Sequence, residues 1–295
     1  MLTTYMVLTC NRKDDLKKCL DSIIAQRDST FEIVVVSNNS TDGTAEMMEK
    51  LYPSCKYIEV GYNSGICTGR NIGFSHSQGD IIVVLDDDCE VADRDFNSKL
   101  QKKMIENPDW GILSFHVINT RSTEYKGVIP SKDKSIVNRE VEVTYFPGGA
   151  HVIRKKLLEE IGTLPDEYFY SMEELDMGYR VMSTHWKIYF TPDLWVYHHE
   201  SPQSRPSWRR FYYDFRNRIW LTTKYLPVKY IISQLILWGG YTFLKSIRYG
   251  YVKYFFRSIR DALQEIEKYK ELRRRYKLDG NAIQRLKKLN GRLYY

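Results

Sequence analysis

Four short apolar runs in the first 85 residues, alternating with helical stretches, restrict the fold of this chain more than any other feature. Residues 2–9, 31–36, 57–60 and 81–85 read as strands, and the β-branched run 31–36 has the composition of one buried on both faces. Between the first two, Leu16, Leu20, Ile23 and Ile24 repeat at helical spacing. Ser40-Thr41-Asp42-Gly43 supplies turn and cap chemistry ahead of Met47, Met48 and Leu51, and residues 71–77 read as helix. Strand, helix, strand, helix in that order predicts an α/β chain with a parallel, doubly wound sheet. Further on, residues 112–119, 140–146 and 187–191 read as strands. Residues 152–161 and 172–182 read as helices, the first with Ile153, Leu157, Leu158 and Ile161 on one face.

Charge divides the chain in two. Residues 1–202 hold 22 Lys and Arg against 31 Asp and Glu, a balance of −9; residues 203–295 hold 22 against 6, a balance of +16. An acidic body (halves 1–110 and 111–202) with a basic, aromatic, helical tail (203–295) is the expected organisation, with the boundary near Pro202. Such a tail implies an anionic partner. Residues 2–9 are too few, and lack the basic leader, to be a signal peptide. The five cysteines form no C-x-x-C pair and read as reduced thiols of a cytoplasmic protein.

The candidate chemistry starts where the run 81–85 passes into Asp86-Asp87-Asp88. Residues two apart on a strand share a face, so Asp86 and Asp88 would project together from its carboxyl end, where open α/β sheets bind ligands. Crowded carboxylates call for a cation, and oxygen ligands select Mg²⁺ or Mn²⁺. An isolated D-x-D is equally a solvated acidic turn or a helix cap, and the strand before it leaves both readings open.

Three further segments accompany it: Thr9-Cys10-Asn11-Arg12, Ser37-Asn38-Asn39-Ser40-Thr41-Asp42-Gly43, and Asn63-Ser64-Gly65-Ile66-Cys67-Thr68-Gly69-Arg70-Asn71-Ile72-Gly73. Over residues 2 to 226 the set resembles family 2 glycosyltransferases of the GT-A fold, in particular their bacterial rhamnosyltransferase-like branch. The resemblance implies a Rossmann-like, mostly parallel central sheet flanked by helices. It implies a UDP- or dTDP-sugar donor, with Thr9, Asn11 and Asn38 near base and ribose. Ser37 stands where that family usually carries an aspartate. Gly65 and Gly69 suit close backbone approach, and Arg70 matches a residue lying against the nucleotide, a surface salt bridge being its alternative.

The same resemblance makes Asp88 the principal metal ligand, with Asp86 on ribose or ion and Asp87 beside them. Pro147-Gly148-Gly149-Ala150 is similar to the glycine pair bordering the sugar. Residues 168–180, with Glu173-Glu174 and then Asp176, resemble the segment carrying the general base. An inverting transfer needs a carboxylate within reach of the attacking hydroxyl, and position assigns that role to Glu174. Glu173 or Asp176 would orient it or bind acceptor, while simple helix-dipole stabilisation remains open for one of the three, first of all Asp176. His198, ending Pro192-Asp193-Leu194-Trp195-Val196-Tyr197-His198-His199, is similar to the family's metal-binding histidine; a purely structural histidine is the alternative.

In Trp208-Arg209-Arg210-Phe211-Tyr212-Tyr213-Asp214-Phe215-Arg216-Asn217-Arg218, Arg216 and Asn217 resemble a pair that follows that histidine, and Arg216 would serve the diphosphate. An amphipathic helix packing its aromatics on the body is the other reading. Beyond it, the apolar residues between Lys229 and Lys245 are too few to span a bilayer. Aromatic and basic residues interleave there as on a helix lying on anionic lipid, so a peripheral place on the inner membrane face is expected. A dimerisation helix or packing on the body are the rivals. No nucleic-acid module is present.

The function expected is transfer of a sugar to a glycan or lipid-linked acceptor in cell-surface polysaccharide synthesis. A nucleotidyltransferase would want a glycine-rich basic loop after the first strand, and a dinucleotide dehydrogenase would want G-x-G-x-x-G there; both are missing from Thr9-Cys10-Asn11-Arg12. A non-catalytic scaffold would carry broken acidic motifs, and these are intact.

Overall fold

A computed structural model of the chain describes residues 1–28, 30–120, 129–131, 133–200 and 207–294. The four apolar runs form β1 (Thr3–Thr9), β2 (Phe31–Ser37), β3 (Lys56–Glu59) and β4 (Ile81–Asp86). They are joined by α1 (Lys13–Ile24), α2 (Thr44–Leu51) and α3 (Gly65–His76). All four strands are parallel, in the order β3-β2-β1-β4. Because the chain winds outward from β1 to β3 and then returns to β4, the carboxyl ends of β1 and β4 adjoin where the winding reverses. A crevice opens at such a point.

The second half reverses direction. β5 (Cys89–Glu90) leads to α4 (Phe96–Glu106), β6 (Trp110–Asn119), β7 (Val141–Val143) and β8 (Ala150–Arg154). The helix expected over 152–161 is only α5 (Lys155–Ile161). All five residues before it are buried in a strand that runs antiparallel to β4 on one side and β6 on the other. Ile153 faces both Ile82 and Ile112, so its place in the helical stripe is coincidental. Tertiary pairing overrides local periodicity here. α6 (Glu173–Met182) precedes β9 (Lys187–His198), which joins the two expected C-terminal runs into one strand. Pro192 has no N–H to give the ladder, and the register with β6 slips from Phe115↔Thr191 to His116↔Trp195 around it.

Among the described residues that follow, the chain forms α7 (Trp208–Tyr225), α8 (Val228–Arg248), α9 (Val252–Gln264), α10 (Ile266–Tyr276) and α11 (Gly280–Lys288). The expected boundary near Pro202 lies outside the described residues. One apolar core runs from Met6 and Ile82 through α6 to Phe215, Trp220, Tyr269 and Leu293. Trp220 stacks on Tyr269 and Phe215 on Phe255, with ring centroids 4.8 and 5.0 Å apart. Many tail aromatics therefore serve packing. Among the described residues, no helix is long and apolar enough to cross a membrane.

Candidate active site

The crevice between β1 and β4 collects the acidic trio, but not as simple alternation suggests. β4 ends at Asp86, and the chain turns there, so the period of two stops. Asp86 binds Arg70 (Nη2–Oδ1, 3.0 Å). Asp87 turns back to the end of β1: Thr9 Oγ1 donates to its Oδ2 at 2.8 Å, and Arg12 Nη1 lies 2.7 Å from its Oδ1. Burial nevertheless outweighs Arg12 and pushes the Asp87 carboxyl up to about 7. Asp88 keeps its Oδ2 3.5 Å from the same Arg12 Nη1 and turns Oδ1 away. Cys89 pairs with His198 across the β5–β9 ladder, which sets Asp88 Oδ1 3.1 Å from His198 Nε2.

Those two atoms suit a divalent ion. Two neighbouring ligands of an octahedral ion at about 2.1 Å stand about 3 Å apart, which is their separation. The Cys89 sulfur is close to both, but burial holds its thiol in the neutral form and it donates to the Gly149 carbonyl at 3.5 Å. Asp88 and His198 are therefore the pair that could hold such an ion, the carboxylate suiting Mn²⁺ or Mg²⁺ and the imidazole a softer ion than Mg²⁺.

One lobe of the crevice is lined by Thr9, Asn38, Gly65, Asp86, Asp87 and Arg209. Asn38 is also a clamp: its amide donates to the Gly65 carbonyl at 2.9 Å and accepts from Ser64 Oγ at 2.7 Å, anchoring the start of α3. Asn11 is a similar brace, taking the Thr41 N–H at 2.7 Å and giving its own N–H to Ser40 Oγ at 3.0 Å. Gly65 has φ +80°, and a Cβ there would run into Phe169. The adjacent lobe is lined by Arg70, Asp86, Gly149, Glu173, Glu174 and Arg210. Asp86 is thus common to both lobes. A Cβ on Gly149 would sit 2.8 Å from Asp86 Oδ2, which explains a glycine at that position.

Arg70 joins the halves. It is buried, and its other nitrogen lies 3.2 Å from Glu173 Oε1. A carboxylate from β4 and one from α6 are thus held by one guanidinium, so the surface-salt-bridge reading of Arg70 fails. Glu173 is spent on this pair. Glu174 packs against Gly148, at a place that a Cβ would overlap. Burial, then the charge of Glu173, raises its carboxyl to about 8. Asp176 faces away, toward Arg180 Nε (2.9 Å) and Lys224 Nζ (3.1 Å), and is a structural anchor.

The turn before α6 is strained. Phe169, Ser171 and Met172 all have left-handed backbones, with φ +61°, +71° and +73°. Non-glycine residues adopt this only where the surroundings impose it. Asn217 imposes it: its amide donates to the carbonyls of Tyr170 and Ser171 at 2.8 Å and of Tyr168 at 3.0 Å. Arg216 works beside it. Its guanidinium donates to the carbonyls of Glu167 (2.9 Å) and Tyr168 (3.0 Å) and lies 4.2 Å from the Trp220 ring centre. It braces this turn, while Arg209 and Arg210, two turns earlier on α7, line the crevice. Positions 209 and 216 share a helix face, so spacing alone does not separate them.

A parallel sheet with carboxylates at its reversal point, closed by an antiparallel half that carries a buried acidic helix start, is the arrangement of a GT-A glycosyltransferase. The chain belongs to glycosyltransferase family 2: the pattern described as Glycosyl transferase family 2 matches residues 4–162. It is 34% identical over 112 residues to an uncharacterised protein of Haemophilus influenzae, covering 37% of this chain and 60% of that one. It is 27% identical over 171 residues to the GalNAc(5)-diNAcBac-PP-undecaprenol beta-1,3-glucosyltransferase of Campylobacter jejuni, covering 56% and 55%. The chain thus spans little more than half the length of these relatives. The crystal structure of Staphylococcus aureus TarS 1-349 in complex with UDP-GlcNAc superposes with a TM-score of 0.61 at 15% identity, over 92% of this chain and 84% of that one.

Proposed function

We propose that this chain is an inverting, divalent-metal-dependent transferase that moves a sugar from a UDP- or dTDP-sugar to a glycan or lipid-linked acceptor. The observation that supports the reading is Arg70 holding Asp86 and Glu173 together, so that Asp86, Glu173 and Glu174 line one crevice. The nucleoside occupies the lobe of Thr9, Asn38 and Gly65; Asn11 shapes its rim. The ion held by Asp88 and His198 would supply positive charge to the departing diphosphate, and Arg209 adds to it from α7. Glu174 takes the proton of the attacking hydroxyl. Its raised affinity for a proton, set by burial and by Glu173, suits a base working near neutral pH. Gly148 leaves the space in which that carboxylate sits. The Campylobacter jejuni relative, named for a GalNAc(5)-diNAcBac-PP-undecaprenol acceptor, supports the acceptor class.

Glu174→Gln tests the reading. Nucleoside diphosphate binding should persist while transfer falls by about two to four orders of magnitude. Near-normal transfer by this variant, with Glu173→Gln dead, would move the base to Glu173.

A further inference from the structure

Helix α8 is apolar on its outward side as well as on the side that packs on the body. Its buried row steps by four from Tyr230 to Gln234 and ends at Ser246. Gln234 and Ser246 have no exposed surface; Gln234 donates to the carbonyls of Arg292 and Leu293 and accepts from Arg218 Nη1 at 3.0 Å. The opposite row also steps by four, through Val228, Ile232, Ile236 and Leu244, and these side chains are 53–67% exposed. Leu237, Tyr241 and Ile247 flank it and are exposed to a similar degree. The helix therefore buries an amide and a hydroxyl beside Tyr230, packs Ile231, Leu235 and Phe243 partly against the core, and presents a second, outward apolar row along about 30 Å. A helix whose outward side faces water is polar there, and so large an apolar strip marks a contact surface.

Charge selects the occupant. No Asp or Glu occurs from Phe215 to Arg260. Lys229, Lys245 and Arg248 on α8 are exposed, as is Lys253 on α9, where Arg257 and Arg260 pair with Asp261. A second copy docked on this face would bring like charges together, whereas an anionic lipid surface would neutralise them. The helix is not apolar enough to span, so it would lie along the interface. Phe243 and Phe255 pack against one another (5.3 Å between centroids), so the aliphatic row is the inserting face.

We infer that the outward row of α8 is a lipid-docking surface, inserting Val228, Ile232, Ile236 and Leu244 into an anionic bilayer while the flanking Lys and Arg meet its headgroups. The test is flotation of the whole chain with phosphatidylcholine vesicles and with vesicles containing phosphatidylglycerol, at low and high salt. The wild type should float with the anionic vesicles and be partly released by salt. Ile236→Ser with Leu244→Ser should lower partitioning about tenfold or more. Lys245→Ser with Arg248→Ser should weaken it and flatten its salt dependence. UDP binding and thermal unfolding should not change, since these side chains touch neither crevice nor core; this separates the docking face from the catalytic reading. Equal flotation of the aliphatic variant, or no flotation of wild type, overturns the inference. A wild-type dimer that Ile236→Ser/Leu244→Ser converts to monomer, without lipid binding, overturns it in favour of a second copy.

Discussion

Replacing Glu174 with Gln should make the protein more stable while disabling it, and the size of the first effect follows from the site. The Glu174 carboxyl is raised from 4.5 to about 8, first by burial and then by the charge of Glu173. Between those pH values the folded chain keeps a proton that the unfolded chain has lost, so wild-type stability falls as pH rises from about 4.5 and levels off above about 8. At about 1.4 kcal/mol per pH unit the ceiling is about 5 kcal/mol. Glu173 shares the titration and would relax once its neighbour is neutral, returning part of this. Gln should therefore match wild type near pH 4.5 and exceed it by about 2–5 kcal/mol at pH 8. Chemical denaturation of both proteins at pH 5, 6.5 and 8 measures the difference. A gap that stays constant with pH would show that Glu174 ionises like an exposed carboxyl, and would remove the physical basis for its role as base.

Other consequences can be checked separately. Wild-type kcat/KM should rise with pH toward an apparent value near 8, since the carboxylate is the working form; a flat profile from pH 6 to 9 contradicts this. Asp88→Ala should remove the manganese dependence of UDP binding and abolish transfer while leaving circular dichroism intact. Gly148→Ala should lower kcat about tenfold or more by displacing Glu174, with donor affinity little changed. Arg209→Ala should weaken UDP binding about tenfold, whereas Arg216→Ala should lower the melting temperature and spare UDP affinity; the converse would return the diphosphate to Arg216.

The parallel half was legible in the sequence because β1, β2 and β4 are largely apolar runs whose residues are mostly buried, whereas the short edge strand β3 is partly exposed. Asp86-Asp87-Asp88 stood out because it ends one of them. What each carboxylate does was not legible: Arg12, Arg70 and His198, their partners, are brought in from far along the chain. The second half was harder, since an antiparallel strand inserted between β4 and β6 carries a helix-like stripe at Ile153. Asn217 was noticed only as a neighbour of Arg216, because an asparagine that clamps three carbonyls of a distant turn has no local signature. The outward apolar row of α8 hid behind a uniformly apolar stretch: sequence shows that such residues are present, and only packing shows which side is covered.

The central claim is that the crevice holds a nucleoside diphosphate together with a divalent ion on Asp88 and His198. Isothermal titration of the intact chain with UDP and with dTDP, in manganese and then in chelator, tests it most directly. At least one of the two should bind, tightly with manganese and at least tenfold more weakly in chelator, and Asp88→Ala should show only the weak mode. Equal affinity in manganese and chelator, or no binding of either nucleotide by folded protein, would contradict it.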